Sequence, residues 1–340
     1  MIQIEEAVIR KISLNRFSKI DKSIISNNLY DYSCEEEENI LKRILLKPFV
    51  SHFQTFEFQH DIDINYNILF TLAKNIYEGT EFIEQSAKIA QHLISSSKHP
   101  NIKDGEVFIA KFDDIKMNNK YYEGLGIFKF EDKDSFIETS IENRKLDLKF
   151  RKGIGSKKPD KACLIMFTEE PFTILIIDSN INETDYWQKD FINHKPKKDN
   201  VNDTNNFLTL TKSFITNQVP NDFEVSKADQ IDLLNRSVEY FKSNDTFEKE
   251  KFEEEVFKER DIIDSFRNFD DDYRRDNKVE FSDSFEISVQ AVKKQARVFK
   301  SVLKLDKNFH IYIHGNKELI EQGVDENGRK FYKIYYEEEN

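Results

Sequence analysis

Residues 144–161, RKLDLKFRKGIGSKKPDK, are strongly basic, and only Asp147 and Asp160 oppose the cations. Cations at this density suit phosphate groups. Gly153 and Gly155 let the backbone bend and approach a ligand, while Arg151, Lys152, Lys157 and Lys158 flank the bend as a fork for phosphate oxygens. A solvated hairpin tip whose lysines protect a sheet edge has the same composition. The run is not a nucleotide-binding loop, because the spacing G-x-x-x-x-G-K-S/T is absent. A second constellation, Asp113 and Asp114 followed by Glu131-x-Lys133, has the order in which some nucleases hold Mg²⁺ and activate water, although charged residues at strand ends are expected anyway. His310 and His314 lie about 13 Å apart if both are in one strand, too far for one metal. Cys163 falls inside the apolar run ACLIMF and reads as core rather than nucleophile. No cofactor site and no catalytic residue emerges.

The net charge of −12 opposes general attraction to a polyanion, so any contact with nucleic acid must be local. The charges are segregated. Further cations cluster at Lys189, Lys195, Lys197 and Lys198, and at Lys293, Lys294, Arg297, Lys300 and Lys304. Acid collects at residues 35–38, 248–272 and 337–339. Two cysteines, Cys34 and Cys163, are too few for a disulfide framework and fit a reducing cytoplasm. The opening MIQIEEAVIRK has no signal-peptide pattern, and no apolar run is long enough to span a bilayer, so no membrane association is expected. The 30 phenylalanines accompany abundant Ile, Asn and Lys, as in genomes rich in A and T, and read mostly as core.

The elements that would position these residues follow from periodicity. Residues 2–14 alternate as a strand. Ser33, with Glu36 three residues on, is a capping box for a helix running to Pro48, where Glu35, Glu36, Glu37 and Glu38 complement the helix dipole. Residues 65–97 read as helix broken near Gly79, with Phe82, Ile83, Ala87, Ala90 and Ile94 as the inner stripe. EVFIAKF, YYEGLGIFKF, SFIETSI, KLDLKF, ACLIMF and FTILIID are short apolar strands on short links, which predicts one antiparallel sheet over about 104–179. Helices follow, and a closing pair of strands, 309–314 and 331–336, ends the chain. The fold class is α+β: an antiparallel sheet with flanking helices, then a mainly helical half closed by a C-terminal β-hairpin. The expected domains are 1–180 and 181–340, with the boundary near 180–184.

The stretch 186–214, YWQKDFINHKPKKDNVNDTNNFLTLTKSF, runs from an aromatic helix through a basic link into an apolar helix that Asn205 or Asn206 would cap. It resembles the middle of the bacterial nucleoid-associated family known as NdpA or YejK-like, with Trp187, Phe191, Lys195, Asn205, Asn206, Leu208 and Phe214 in the family's places. The family usually has a glycine after its phenylalanines, where this chain has Asn193 and His194. The opening IEEAVIRKISL and the closing FHIYIHGNKELIEQGVDENGRKFYKIYYE extend the resemblance to nearly the full length.

The resemblance implies a non-enzymatic protein of the cytoplasm and nucleoid that binds double-stranded DNA with little sequence specificity. To this the residues add a mechanism of phosphate neutralisation by Lys149, Arg151, Lys152, Lys157, Lys158 and Lys161, joined by Lys195, Lys197 and Lys198. The main rival is an interaction protein whose acidic half, about 245–276, binds a basic partner or another copy of itself; a metal-dependent nuclease is the lesser one. The apolar face of the helix after the basic link, carrying Phe207, Leu208, Leu210 and Phe214, is expected to dock on the sheet domain or on a second subunit of a homodimer.

Overall fold

The structure, a computed structural model, describes residues 2–3, 6–50, 54–117, 120–142, 145–155, 158–179, 185–277, 279–296, 299, 302–313 and 319–338. The chain forms two compact units, residues 1–197 and 198–340. The linker expected at 180–184 lies outside the described residues.

The first unit is built on strands β1 (Ile2–Gln3), β2 (Val8–Phe17), β3 (Phe56–Phe58), β4 (Gly105–Met117), β5 (Lys120–Phe130), β6 (Asp134–Glu142), β7 (Lys145–Gly153), β8 (Lys161–Met166), β9 (Thr173–Asp178) and β10 (His194–Pro196). Eight of these form one antiparallel sheet in the order β1-β4-β5-β8-β9-β3-β10, with β2 also paired to β4. Short links produce this antiparallel order, as expected. β6 and β7 depart from the expectation of one sheet, since they pair only with each other as a separate ribbon.

Period-two alternation sends the two sides of each central strand into different cores. Val107, Ile109, Leu125, Ile127, Cys163, Ile165, Ile174 and Ile176 pack against α2 (Ile68–Tyr77) and α3 (Phe82–Ser96), together with Trp187 and Phe191. Ala110, Phe112, Phe128, Leu164, Met166 and Leu175 pack against α1 (Glu35–Leu46). Gly79, at φ 92, ends α2 as the sequence predicts. The buried stripe of α3 is Phe82, Ser86, Ile89, Ala90 and Leu93, while Ile83 and Ala87 line an open groove instead. At α1 the N-cap is Cys34, without a side-chain bond, and the expected Ser33–Glu36 box is replaced by Glu37, which accepts from the amide and hydroxyl of Ser33 at 2.8 Å each.

The second unit contains α4 (Asn200–Ser213), α5 (Val219–Asp222), α6 (Lys227–Ser243), α7 (Lys249–Phe252), α8 (Arg260–Asn277) and α9 (Val289–Ala296). Its strands are β11 (Thr246–Glu248), β12 (Ser284–Glu286), β13 (Val302–Leu305), β14 (Phe309–Tyr312), β15 (Ile320–Val324) and β16 (Lys330–Ile334): β11 and β12 pair across the intervening helices, and the other four form two hairpins. The predicted partnership of the last strands is corrected. β14 pairs with β13 and β16 with β15, because each finds a closer partner across a short turn. The core is aromatic: the Phe207 ring has Phe241, Phe247, Phe252, Phe266 and Phe281 within 4.1–6.1 Å. The apolar face of α4 is therefore buried in its own unit, and neither the sheet domain nor a second subunit is needed to cover it. Its cap is Asp199, whose side chain accepts from the amide of Asn202 at 2.9 Å, so Asn205 and Asn206 stand inside the helix.

Candidate nucleic-acid interface

Helix α1 carries Ile40, Arg43 and Ile44, and Lys47 is its helical C-cap, at spacings of three and four that place the four on one face. The loop between β7 and β8 folds onto that face, with Ile154 packed against the α1-side core. Together they line a cleft of about 410 Å³ formed by Ile40, Arg43, Ile44, Lys47, Pro48, Ile154, Gly155 and Lys158. Its ionisable groups are three cations with no carboxylate among them. All three are exposed, and none has an ion-pair partner among the described residues. The sequence pattern flagged Lys158 but missed Arg43 and Lys47, although the i, i+4 spacing of two cations on a helix that faces a basic loop was the available signal.

At Gly153 and Gly155 the hairpin leaves little room for a side chain. A Cβ at Gly155 would lie 2.5 Å from Oδ2 of Asp134, and one at Gly153 would lie 3.1 Å from the Phe136 ring. Lys149 and Arg151 lie on one face of the β6–β7 ribbon, and Lys152 lies on the other, opposite Ser135. Arg151 Nε donates to Glu138 Oε2 at 2.8 Å, and Lys149 stands 3.8 Å from Asp147. Arg151 holds the Glu138 carboxyl below the usual range. Exposed pairs of this kind are weak, so a phosphate can compete for these cations. Lys157 lies outside the described residues.

Lys161 does not belong to this surface. It starts β8 on the side of Cys163 and Ile165, is 2% exposed, and donates to Asp178 Oδ1 at 2.6 Å. Beside it Lys129 donates to Glu131 at 2.8 Å, to the Lys103 carbonyl at 2.6 Å and to the Tyr186 hydroxyl at 3.3 Å. The Tyr186 ring lies 5.7 Å from the Lys129 ammonium and 5.3 Å from that of Lys161. Burial pulls the Lys129 ammonium below its ordinary value, against the opposing pull of Glu131, and pushes the Tyr186 hydroxyl up. An ammonium so enclosed offers nothing to a phosphate.

The second cluster divides between the units. On β10, Lys195 pairs with Glu57 at 3.2 Å, and Lys197 Nζ donates to Thr173 at 2.7 Å. Lys198 opens the second unit and pairs with Glu280 at 2.7 Å. Just before them, Trp187–Ile192 forms a π-helical turn that ends at Asn193 with φ 52. That left-handed conformation is what a glycine would adopt freely and what asparagine tolerates best among the other residues, which accounts for the missing glycine. His194 follows, its ring 4.4 Å from that of Phe56, and burial pushes its pKa down to about 4.

The nuclease constellation is dispersed. Asp113 and Asp114 sit at a bulge within β4 rather than at its end, and Asp113 pairs with Arg10 at 2.5 Å. Lys133 pairs with Glu106 at 2.6 Å, and Glu131 is the buried partner of Lys129. Glu106 is paired in register with Phe130, next to Glu131, so from Glu106 to Asp113, at about 3.3 Å per residue, β4 carries the two acids roughly 23 Å apart. One metal ion cannot bridge them. Among the described residues no group of three or more His, Cys, Asp or Glu could hold a metal, and no helix is long and apolar enough to cross a membrane. In the acidic half, Asp270 is buried between Lys249 and Arg274 at 2.6 Å each, and Glu253 is clamped by Arg267 at 2.6 Å. These two carboxylates are committed within the fold.

The family model described as nucleoid-associated protein YejK matches residues 24–330. No curated protein matches the chain.

Proposed function

We propose that this chain, which belongs to the nucleoid-associated protein YejK family, binds double-stranded DNA with little sequence specificity by setting phosphates against Arg43, Lys47 and Lys158. The family gives it a nucleoid-associated role, and the cleft between α1 and the loop before β8 supports the finer reading. In a chain of net charge −12, three convergent cations without a carboxylate form a local positive site. The ribbon cations Lys149, Arg151 and Lys152, and Lys157 of the same loop, extend it in sequence. Such contacts position a duplex without reading bases.

The test is retardation of unrelated duplexes by the purified protein across a salt series. Log affinity should fall with log salt by about 0.9 per phosphate contact and vary little with sequence. The triple variant Arg43→Glu, Lys47→Glu, Lys158→Glu should weaken binding at least tenfold and flatten that slope, while Arg151→Glu with Lys152→Glu should weaken it less. Wild-type affinity in the triple variant would overturn the site. Absence of DNA binding by the wild type, with retention of a basic protein partner, would favour the acidic half around α8 instead.

A further inference from the structure

The ribbon β6–β7 has two unlike faces. One carries Glu138, Lys149, Arg151 and Asp147, with the charges engaged among themselves. The other carries the opposed pairs Ile137–Phe150, Thr139–Leu148 and Ile141–Leu146. Every residue of β7 from Lys145 to Lys152 is exposed, and none of the strip's five large apolar side chains joins a core. Their exposures are 54% for Ile137, 79% for Ile141, 69% for Leu146, 54% for Leu148 and 79% for Phe150. A two-stranded hairpin with an open apolar face is marginal in water by itself.

We infer that this apolar strip is the contact by which two copies of the chain associate, strip against strip across a twofold axis near the Thr139–Leu148 pair. Two properties select a second copy as the occupant. The Ile137-to-Leu146 strip presents no charge, so it has nothing to offer a phosphate backbone, whereas an identical strip is its full complement and brings no like charges together. The area also fits. An open Phe brings roughly 150–250 Å², and the aliphatic side chains of the strip stand at or below the low end of that range. At the exposures given, the strip presents at most on the order of 600 Å² per copy, and two strips that cover each other fully bury up to about 1,200 Å², which reaches the lower bound of a specific interface. A patch this large is at the upper limit of what monomers leave open. Stacking leaves the opposite face, with Lys149 and Arg151, directed outward from both copies. The contact stands without the DNA reading, since it rests on the apolar strip from Phe150 to Leu146 alone, and Lys152, on the same face, lies beyond the end of that strip.

Sedimentation of the full chain should give a dimer at micromolar concentration. Ile141→Asp with Leu146→Asp should raise the dissociation constant at least a hundredfold while leaving circular dichroism and melting temperature unchanged, because both side chains lie outside the cores. In a Cys34→Ser background, Leu148→Cys should form a covalent dimer on mild oxidation, and Asp147→Cys, on the other face, should not. A wild type that sediments as a monomer would overturn the inference, as would a dimer that survives the double aspartate variant or cross-links equally from position 147. A monomer whose DNA affinity falls with the aspartates would assign the strip to nucleic acid and overturn it too.

Discussion

Lys158 and Lys161 stand three positions apart and have opposite fates. Lys158 is exposed in a loop and lines the cleft, whereas Lys161 has entered β8 on the side that faces α3 and Tyr186. Once an ammonium is taken from water, its counter-ion decides whether the fold tolerates it. Asp178 is that counter-ion, itself 2% exposed. Asp178→Asn keeps the shape but leaves Lys161 without a charge partner, and should cost about 3–5 kcal/mol of stability by urea unfolding. A loss below about 1 kcal/mol would mean that Lys161 escapes to water. The companion pair Lys129–Glu131 follows the same rule, so Glu131 is held within the fold where the nuclease reading of the sequence placed it at a metal.

At the scale of the element, α4 is a helix whose position is set by aromatic packing. Leu210 is fully buried, and Phe207 on the same helix and Phe214 at its C-terminal cap meet rings from α6, α7 and α8. Leu210→Asp places an unpaired carboxylate in that core and should destabilise the protein by several kcal/mol, about 3–5, as a loss of melting temperature rather than a change of sizing profile. A variant that melts like wild type would show that this face yields to water. The contrast with β6–β7 is instructive. Both elements show clear apolar periodicity in the sequence, yet one face is covered within its unit and the other is open. Periodicity states that a face is apolar; it does not state what covers it.

At the scale of the whole molecule, each unit has cores of its own among the described residues: two in residues 1–197, one on each side of the sheet, and in 198–340 an aromatic one beside a smaller cluster of Ile231, Leu303 and Ile313. A unit that buries its own core can fold alone. The fragment 1–197 should therefore be folded, with a cooperative melting transition and the full β signal of the sheet. A fragment that is unstructured by circular dichroism would show that the first unit depends on the second.

Local physics made much of this protein legible in its sequence. Alternation and short links determined the antiparallel sheet, Gly79 the break between α2 and α3, and the aromatic segment around Trp187 the family. The charge run at 144–161 likewise marked Lys158, because a like-charged loop has no local partners to hide it. Tertiary structure decided the rest. Whether a strand joins the main sheet or forms a separate ribbon depends on partners distant in sequence, so β6–β7 could not be told from β8–β9 by pattern. Whether a lysine is offered or buried depends on which side of its strand faces a helix, which separated Lys161 from its neighbours. Arg43 and Lys47 became candidates only when the loop before β8 folded onto α1, since the cleft they share is made by residues more than a hundred positions apart.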